Sequence, residues 1–137
     1  MGRRKIKKRK GKGGKAGRFD PRVRPLLDHL GKVEAELRAL GWWRSDTIDP
    51  FAHLPEDEPR NYTNASSFEE WLQFVFLPNA RGAARGGTLP TESNVGQMAQ
   101  HQYESHEHIA QAQPLIGLLS EFDDMVDRYH ARQGGAR

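Results

Sequence analysis

Between residues 26 and 40 apolar side chains return at steps of four and three: Leu26, Leu30, Val33, Leu37 and Leu40, with Leu27 widening the stripe. That spacing puts them on one face of an amphipathic helix. Asp28 with Lys32 and Glu34 with Arg38 are i,i+4 pairs on its polar side, acid first, the favourable order. Asp20-Pro21 supplies an N-cap and the residue best tolerated in a first helical turn. Pro25 lies too deep for a helix begun there, so the regular helix is expected to start near Pro25, with Gly41 as its stop.

Residues 42–65 carry Pro50, Pro55 and Pro59 among Asn and Asp clusters and read as a long irregular connection. Trp42, Trp43, Phe51 and Tyr62 within it predict that it packs back onto the body, since large aromatics dominate core burial. A second helix opens at Ser66 or Ser67, each with a glutamate three residues on, Glu69 and Glu70, the capping-box spacing. Six of the seven residues from Trp71 to Leu77 are apolar, which predicts a helix buried on most sides that Pro78 ends or kinks. Residues 79–88 read as a Gly/Arg/Ala linker. A polar pattern through Val95, Met98, Ala99 and Tyr103 predicts a third helix over 94–107. The last helix presents Leu115, Leu118, Leu119, Phe122, Met125, Val126 and Tyr129 on one face and Glu121, Asp123, Asp124 and Asp127 on the other. No segment alternates with period two. The expected fold class is all-α, a four-helix bundle.

Charge changes the picture at the N-terminus. Residues 1–24 hold 12 of the 21 Lys and Arg against one acid, about +11, while residues 25–137 hold 9 bases against 17 acids, about −8. The net charge of +3 therefore hides a basic arm on an acidic body. Residues 1–20 are expected to form a disordered Lys/Arg/Gly-rich arm, because such a segment buries too little surface to offset its ordering entropy. Residues 21–131 are the helical bundle and 132–137 a disordered tail. A chain of 137 residues suits one domain with a single small core. The absence of cysteine excludes disulfides, thiolate metal sites and cysteine nucleophiles, and fits a reducing compartment. No apolar run is long enough to span a membrane, and no apolar run follows the N-terminal charges as in a signal peptide. Cytoplasm is the expected location.

The arm is the first candidate for function. Arg3, Arg4, Lys5, Lys7, Lys8, Arg9, Lys10, Lys12, Lys15 and Arg18 can neutralise phosphates and release counterions, so RNA or the ribosome is the expected partner. Only Phe19 borders them, so there is no aromatic platform for base stacking and contact would be sequence-tolerant. The stretch Gly11-Lys-Gly-Gly-Lys15 lacks the leading glycine and terminal Ser/Thr of a P-loop. Three readings compete: a solubilising tail, contact with anionic lipid, and a start codon downstream of the arm.

Elsewhere the chemistry is sparse. His101, Glu104 and His108 would share a helical face, but no second carboxylate–histidine helix completes a site, so no metal is expected. Glu70 is the carboxylate set in apolar surroundings, and its place three after Ser67 already explains it as a capping partner. Ser66, Ser67, Ser105 and Ser120 lack the glycines of a nucleophile elbow. Arg81-Gly82 and Arg85-Gly86-Gly87 look like a single RGG-type RNA contact in a linker. No catalysis and no cofactor are expected. The rival reading is a small enzyme using a pocket near Glu70 and His101.

Trp43-Arg44-Ser45-Asp46 after an amphipathic helix, then Glu70-Trp71-Leu72-Gln73-Phe74-Val75-Phe76-Leu77-Pro78, then Leu89-Pro90, resembles the YqcC-like family of small bacterial proteins. The final helix with Leu119, Phe122, Asp123 and Met125 fits the resemblance, which covers about residues 22–129. It implies a helical bundle of unassigned function, with Trp43, Glu70, Trp71, Leu72, Gln73, Pro78, Leu89 and Pro90 as motif residues. Members sometimes inherit the name of a neighbouring tRNA pseudouridine synthase, which makes an RNA-modification enzyme a partner by family analogy. The chain is too short for such a synthase, and its helices leave no room for the mixed fold that activity requires. The family's acidic segment before the second helix is replaced here by Pro59-Arg-Asn-Tyr-Thr-Asn-Ala-Ser66, and the basic arm has no family counterpart. The expected function is a non-enzymatic accessory module whose arm contacts RNA or the ribosome; the alternative is a protein–protein adaptor with an incidental arm.

Overall fold

The computed structural model describes residues 20–104 and 109–135; the arm at 1–19 and the segment containing His108 lie outside them. A 3-10 turn, Pro21–Val23, leads into α1, Arg24–Ala39. The Asp20 carboxylate accepts the Arg22 backbone N–H at 2.9 Å and so caps that turn. Leu26, Leu30, Val33 and Leu37 are buried along the expected stripe, and Glu34 pairs with Arg38 at 2.9 Å on the outside. Gly41, at φ +79°, closes the helix. Its N–H reaches the Arg38 carbonyl (3.0 Å) and the Trp42 N–H the Leu37 carbonyl (2.9 Å), a Schellman motif that satisfies the last carbonyls.

Helix α2 corrects the expectation for Pro78. It runs without a break from 68 to 86, as α-helical Phe68–Trp71, a π-helical turn Leu72–Phe76, and α-helical Leu77–Gly86. In a plain α-helix a proline forfeits a hydrogen bond and presses its ring on the carbonyl four residues back. Here the Leu77 N–H reaches five residues back to Leu72, widening the turn, and Pro78 falls in the first turn of a fresh α segment. In that position its missing N–H has no partner to lose. The stretch expected as a linker, 79–88, is therefore largely helical. Ala80 and Ala84 face the core, and Arg81 reaches back to Glu34 of α1 at 2.8 Å, holding the Glu34 carboxyl below the usual carboxylate range. The RGG-like reading of Arg81 and Arg85 gives way to a helical one. Gly87, at φ +73°, ends the helix, with the Thr88 N–H on the Ala83 carbonyl at 2.9 Å.

Helix α3, Val95–Glu104, and helix α4, Ile109–Gly135, complete the bundle. The last helix starts six residues ahead of its predicted apolar face and extends into the segment expected as a tail. Helix α4 is the spine: α3 and α1 both pack on it, and α2 packs on α1. Among the described residues there are four helices and no strand, the all-α bundle expected. No helix among them is long and apolar enough to cross a membrane.

Two packing details position the site. A Cβ on Gly96 would lie 2.6 Å from the Ser120 Cα and 2.8 Å from its nitrogen, so α3 meets α4 backbone to backbone. The irregular 42–65 connection folds back through its aromatics, with Trp42 stacked on Tyr103 (centroids 5.7 Å) and Tyr62 edge-on to Phe68 and Trp71. Phe51 is buried, and Arg38 sits 4.5 Å above the Trp43 ring.

Candidate functional site

The polar residues of the motif join the irregular connection to α2. Gln73 is buried and uses both ends of its amide on one residue: the Arg44 N–H donates to its Oε1 at 2.9 Å, and its Nε2 donates to the Arg44 carbonyl at 2.9 Å. A side-chain amide here replaces the peptide partner that a loop backbone lacks, satisfying groups that would otherwise be costly to bury. The Arg44 guanidinium bridges Asp46 (2.8 Å) and Glu70 (3.0 Å). Asp46 raises the Arg44 pKa, and Arg44 in turn lowers that of Asp46. Ser67 caps α2 by accepting the Glu70 N–H at 3.1 Å. The Glu70 carboxylate does not complete a reciprocal capping box; it takes the Ser66 hydroxyl and Arg44 instead.

Beside this clasp the π-helical turn opens a cleft of about 250 Å³ between α2, the Leu89-Pro90 segment and α4. Trp71, Val75 and Phe76 form one wall, Ala80 and Ala83 the floor, and Phe122 and Val126 the far wall. Phe76 meets Phe122 edge-on (5.6 Å) and Trp71 face-on (6.0 Å), so the walls are rigid aromatic surfaces. Leu89 is buried at one end, and the Pro90 carbonyl is held by the His130 ring nitrogen at 2.7 Å. The polar contributions are Asn79 and Ser93. The Ser93 hydroxyl donates to Asp123 at 2.6 Å, and the same carboxylate accepts the Val95 and Gly96 N–H groups at 3.0 and 2.8 Å, capping α3 from another helix. Burial raises the Asp123 pKa, against the pull of these three donors. A concave, mostly apolar site with a few polar groups at its edge accommodates an apolar side chain or short segment, and π-helical turns recur at functional sites.

Glu70 of the clasp and Asp123 beside the cleft are both hydrogen-bonded. Glu70 is absent from the cleft walls, and His101 and Glu104 are exposed on α3. The Tyr103 hydroxyl donates to Glu69, and its burial beside that carboxylate pushes its pKa well above the ordinary phenol range. In the folded chain it serves as a hydrogen-bond donor. His29 is buried with its Nε2 2.7 Å from the Leu118 carbonyl. No group of three His, Cys, Asp or Glu among the described residues is placed to hold a metal ion.

Of the motif residues, the structure brings Glu70 and Gln73 together through Arg44, and Trp71, Leu89 and Pro90 around the cleft; Leu72 is fully buried, while Pro78 is exposed just past the π turn. Trp43 stacks beneath Arg38, next in sequence to Arg44 of the clasp. The ten arm cations lie outside the described residues. Asp123, placed by its spacing on the face opposite the apolar stripe, is half-buried and serves as a cap. Its partners are backbone N–H groups, which leave no mark in a sequence; only Ser93 and Asn94 ahead of α3 hint at a helix start there.

No curated protein and no solved structure matches the chain. A family model spans residues 25–125, from the first turns of α1 through the clasp and the cleft to the middle of α4. The chain belongs to that family, DUF446, an uncharacterised one whose description reads tRNA pseudouridine synthase C.

Proposed function

We propose that this chain is a non-enzymatic interaction module. Its acidic helical body seats an apolar segment of a partner protein in the cleft beside the π turn, and its basic arm attaches it to RNA, with the ribosome as the abundant source. The observation that carries the reading is the charge split, about +11 on residues 1–24 against about −8 on the remainder. A cationic block of that density seeks polyanions whatever the body does. Support for a binding rather than a catalytic role comes from the engagement of Glu70, Glu69 and Asp123 in caps and clasps, and from the apolar lining of the cleft. By family analogy alone, the partner class is an RNA-modifying enzyme.

Filter binding of structured RNA tests the RNA half, comparing the full chain with a variant whose ten arm cations are all glutamine. If half of those cations meet phosphates of a single strand, affinity falls about a hundredfold between roughly 50 and 200 mM salt. The neutral-arm variant should lose binding. Equal binding by both proteins, or none by either, overturns the RNA half and leaves a protein–protein adaptor.

A further inference from the structure

A second cleft, of about 140 Å³, opens where the chain enters the body, between the 3-10 turn, the start of α1 and the last turns of α4. Its lining is unlike the rest of the acidic body. Arg22, Arg128 and Arg132 surround a floor of Pro25, Leu26, Met125 and Tyr129. The Arg22 guanidinium lies 5.6 Å from the Tyr129 ring centroid and pairs with Asp20, which fixes it at the rim. Arg128 and Arg132 stand one turn apart on α4. Both are exposed, and neither has an acid within salt-bridge distance among the described residues. Most other arginines of the body are committed: Arg38 and Arg81 to Glu34, Arg44 to Asp46 and Glu70, and Arg60 to backbone carbonyls.

We infer that this arginine cleft binds a phosphate group of an RNA strand that the arm leads onto the body. Guanidinium groups suit this role because their planar donor forks match phosphate oxygens. Its place favours a strand over a free anion: Arg18 ends the arm's cations only four residues before Arg22, at most about 14 Å of chain, so one polyanion can run from the arm past the Asp20–Arg22 pair to Arg128 and Arg132. The inference rests on the RNA-binding reading of the arm, and it makes the body a participant rather than a passenger.

Salt titrations of a single-stranded RNA against four full-length proteins separate the two: the unmodified chain, the neutral-arm variant, R128Q/R132Q and R128K/R132K. Two lost phosphate contacts lower the slope of log affinity against log salt by about 1.4. The inference requires that drop in R128Q/R132Q, its reversal in R128K/R132K, and a larger drop in the neutral-arm variant. Near-UV circular dichroism, expected to be unchanged because both residues are exposed, establishes that the fold is intact. A full slope in R128Q/R132Q beside a reduced one in the neutral-arm variant overturns the cleft and spares the arm. If the unmodified chain binds no RNA, the arm reading fails, and inorganic pyrophosphate then decides the cleft. Thermal stabilisation of the unmodified chain but not of R128Q/R132Q retains a phosphate site, and no stabilisation of either ends it.

Discussion

Gly96→Ala tests the close approach of α3 to α4. The new methyl would start 2.6 Å from the Ser120 Cα and 2.8 Å from its nitrogen, and no rotamer change relieves a clash with backbone. Helix α3 must withdraw by about an ångström before ordinary van der Waals contact returns. That movement stretches the bonds from the Val95 and Gly96 N–H groups to Asp123, now 3.0 and 2.8 Å, beyond useful length. Overpacking costs about 1–3 kcal/mol and a lost cap about 1 kcal/mol, against a helix-propensity gain of at most about 1 kcal/mol. The net loss is about 2 kcal/mol, or roughly 10 °C in Tm for a domain of this size. Gly117→Ala on α4 is the control, since nothing lies within 4 Å of its Cβ position; it should gain about 0.5–1 kcal/mol. Urea unfolding followed by far-UV circular dichroism reads both. Because the Ser120 backbone is the obstacle, Ser120→Ala should not restore the Gly96→Ala protein. An unchanged midpoint for Gly96→Ala, or full rescue by Ser120→Ala, refutes the backbone-contact argument.

Gln73→Leu should destabilise the chain by about 1–3 kcal/mol, because the Arg44 N–H and carbonyl lose their partner together; accelerated hydrogen exchange at the Arg44 amide localises the loss, and unchanged exchange contradicts it. For Asp123, burial raises the folded pKa, so the folded chain holds that proton more tightly than the unfolded one. The resulting stability is present below the ordinary value of 3.8 and is lost as pH rises through the folded pKa. The stability of the unmodified chain relative to Asp123→Asn should therefore fall as pH is raised from about 3 to 6, and a relative stability that climbs instead overturns the assignment. Ala83→Leu fills the apolar cleft and should abolish fluorescence enhancement of anilinonaphthalene sulfonate while changing stability by less than about 1.5 kcal/mol; retained fluorescence places the probe elsewhere.

Helices α1 and α4 were legible because their apolar stripes are long and regular, and most of those positions are buried. Helix α2 was readable only in part. Six apolar residues in seven mask any phase, and Pro78 looks like a terminus unless the turn ahead of it widens. The mark is nonetheless present in the buried positions Phe68, Leu72, Leu77, Ala80 and Ala84, where one step of five interrupts the threes and fours. The clasp was legible as a motif but not as a contact, because Arg44 meets Gln73 across 29 positions and mostly through its backbone. The same limit hid Asp123, whose role is to receive N–H groups common to every residue. The arginine cleft escaped because its three side chains come from opposite ends of the chain, diluted among acids.

The π-helical turn makes residue count, and not only residue identity, a determinant of the cleft. A substitution at Val75 repaints a wall and leaves the architecture standing. The π turn accommodates one residue more than an α turn, so removing one residue from Leu72–Phe76 would return α2 to plain α-helix with its buried positions spaced four, four, three and four. Ala80, Arg81 and Ala84 would keep their faces, while the cleft wall at Val75 and Phe76 would be rebuilt and Pro78 would again face the carbonyl four residues before it. The extra residue therefore shapes the cleft and not the register of the helix beyond it, so a related chain lacking it should keep the buried face of α2 and differ at the cleft.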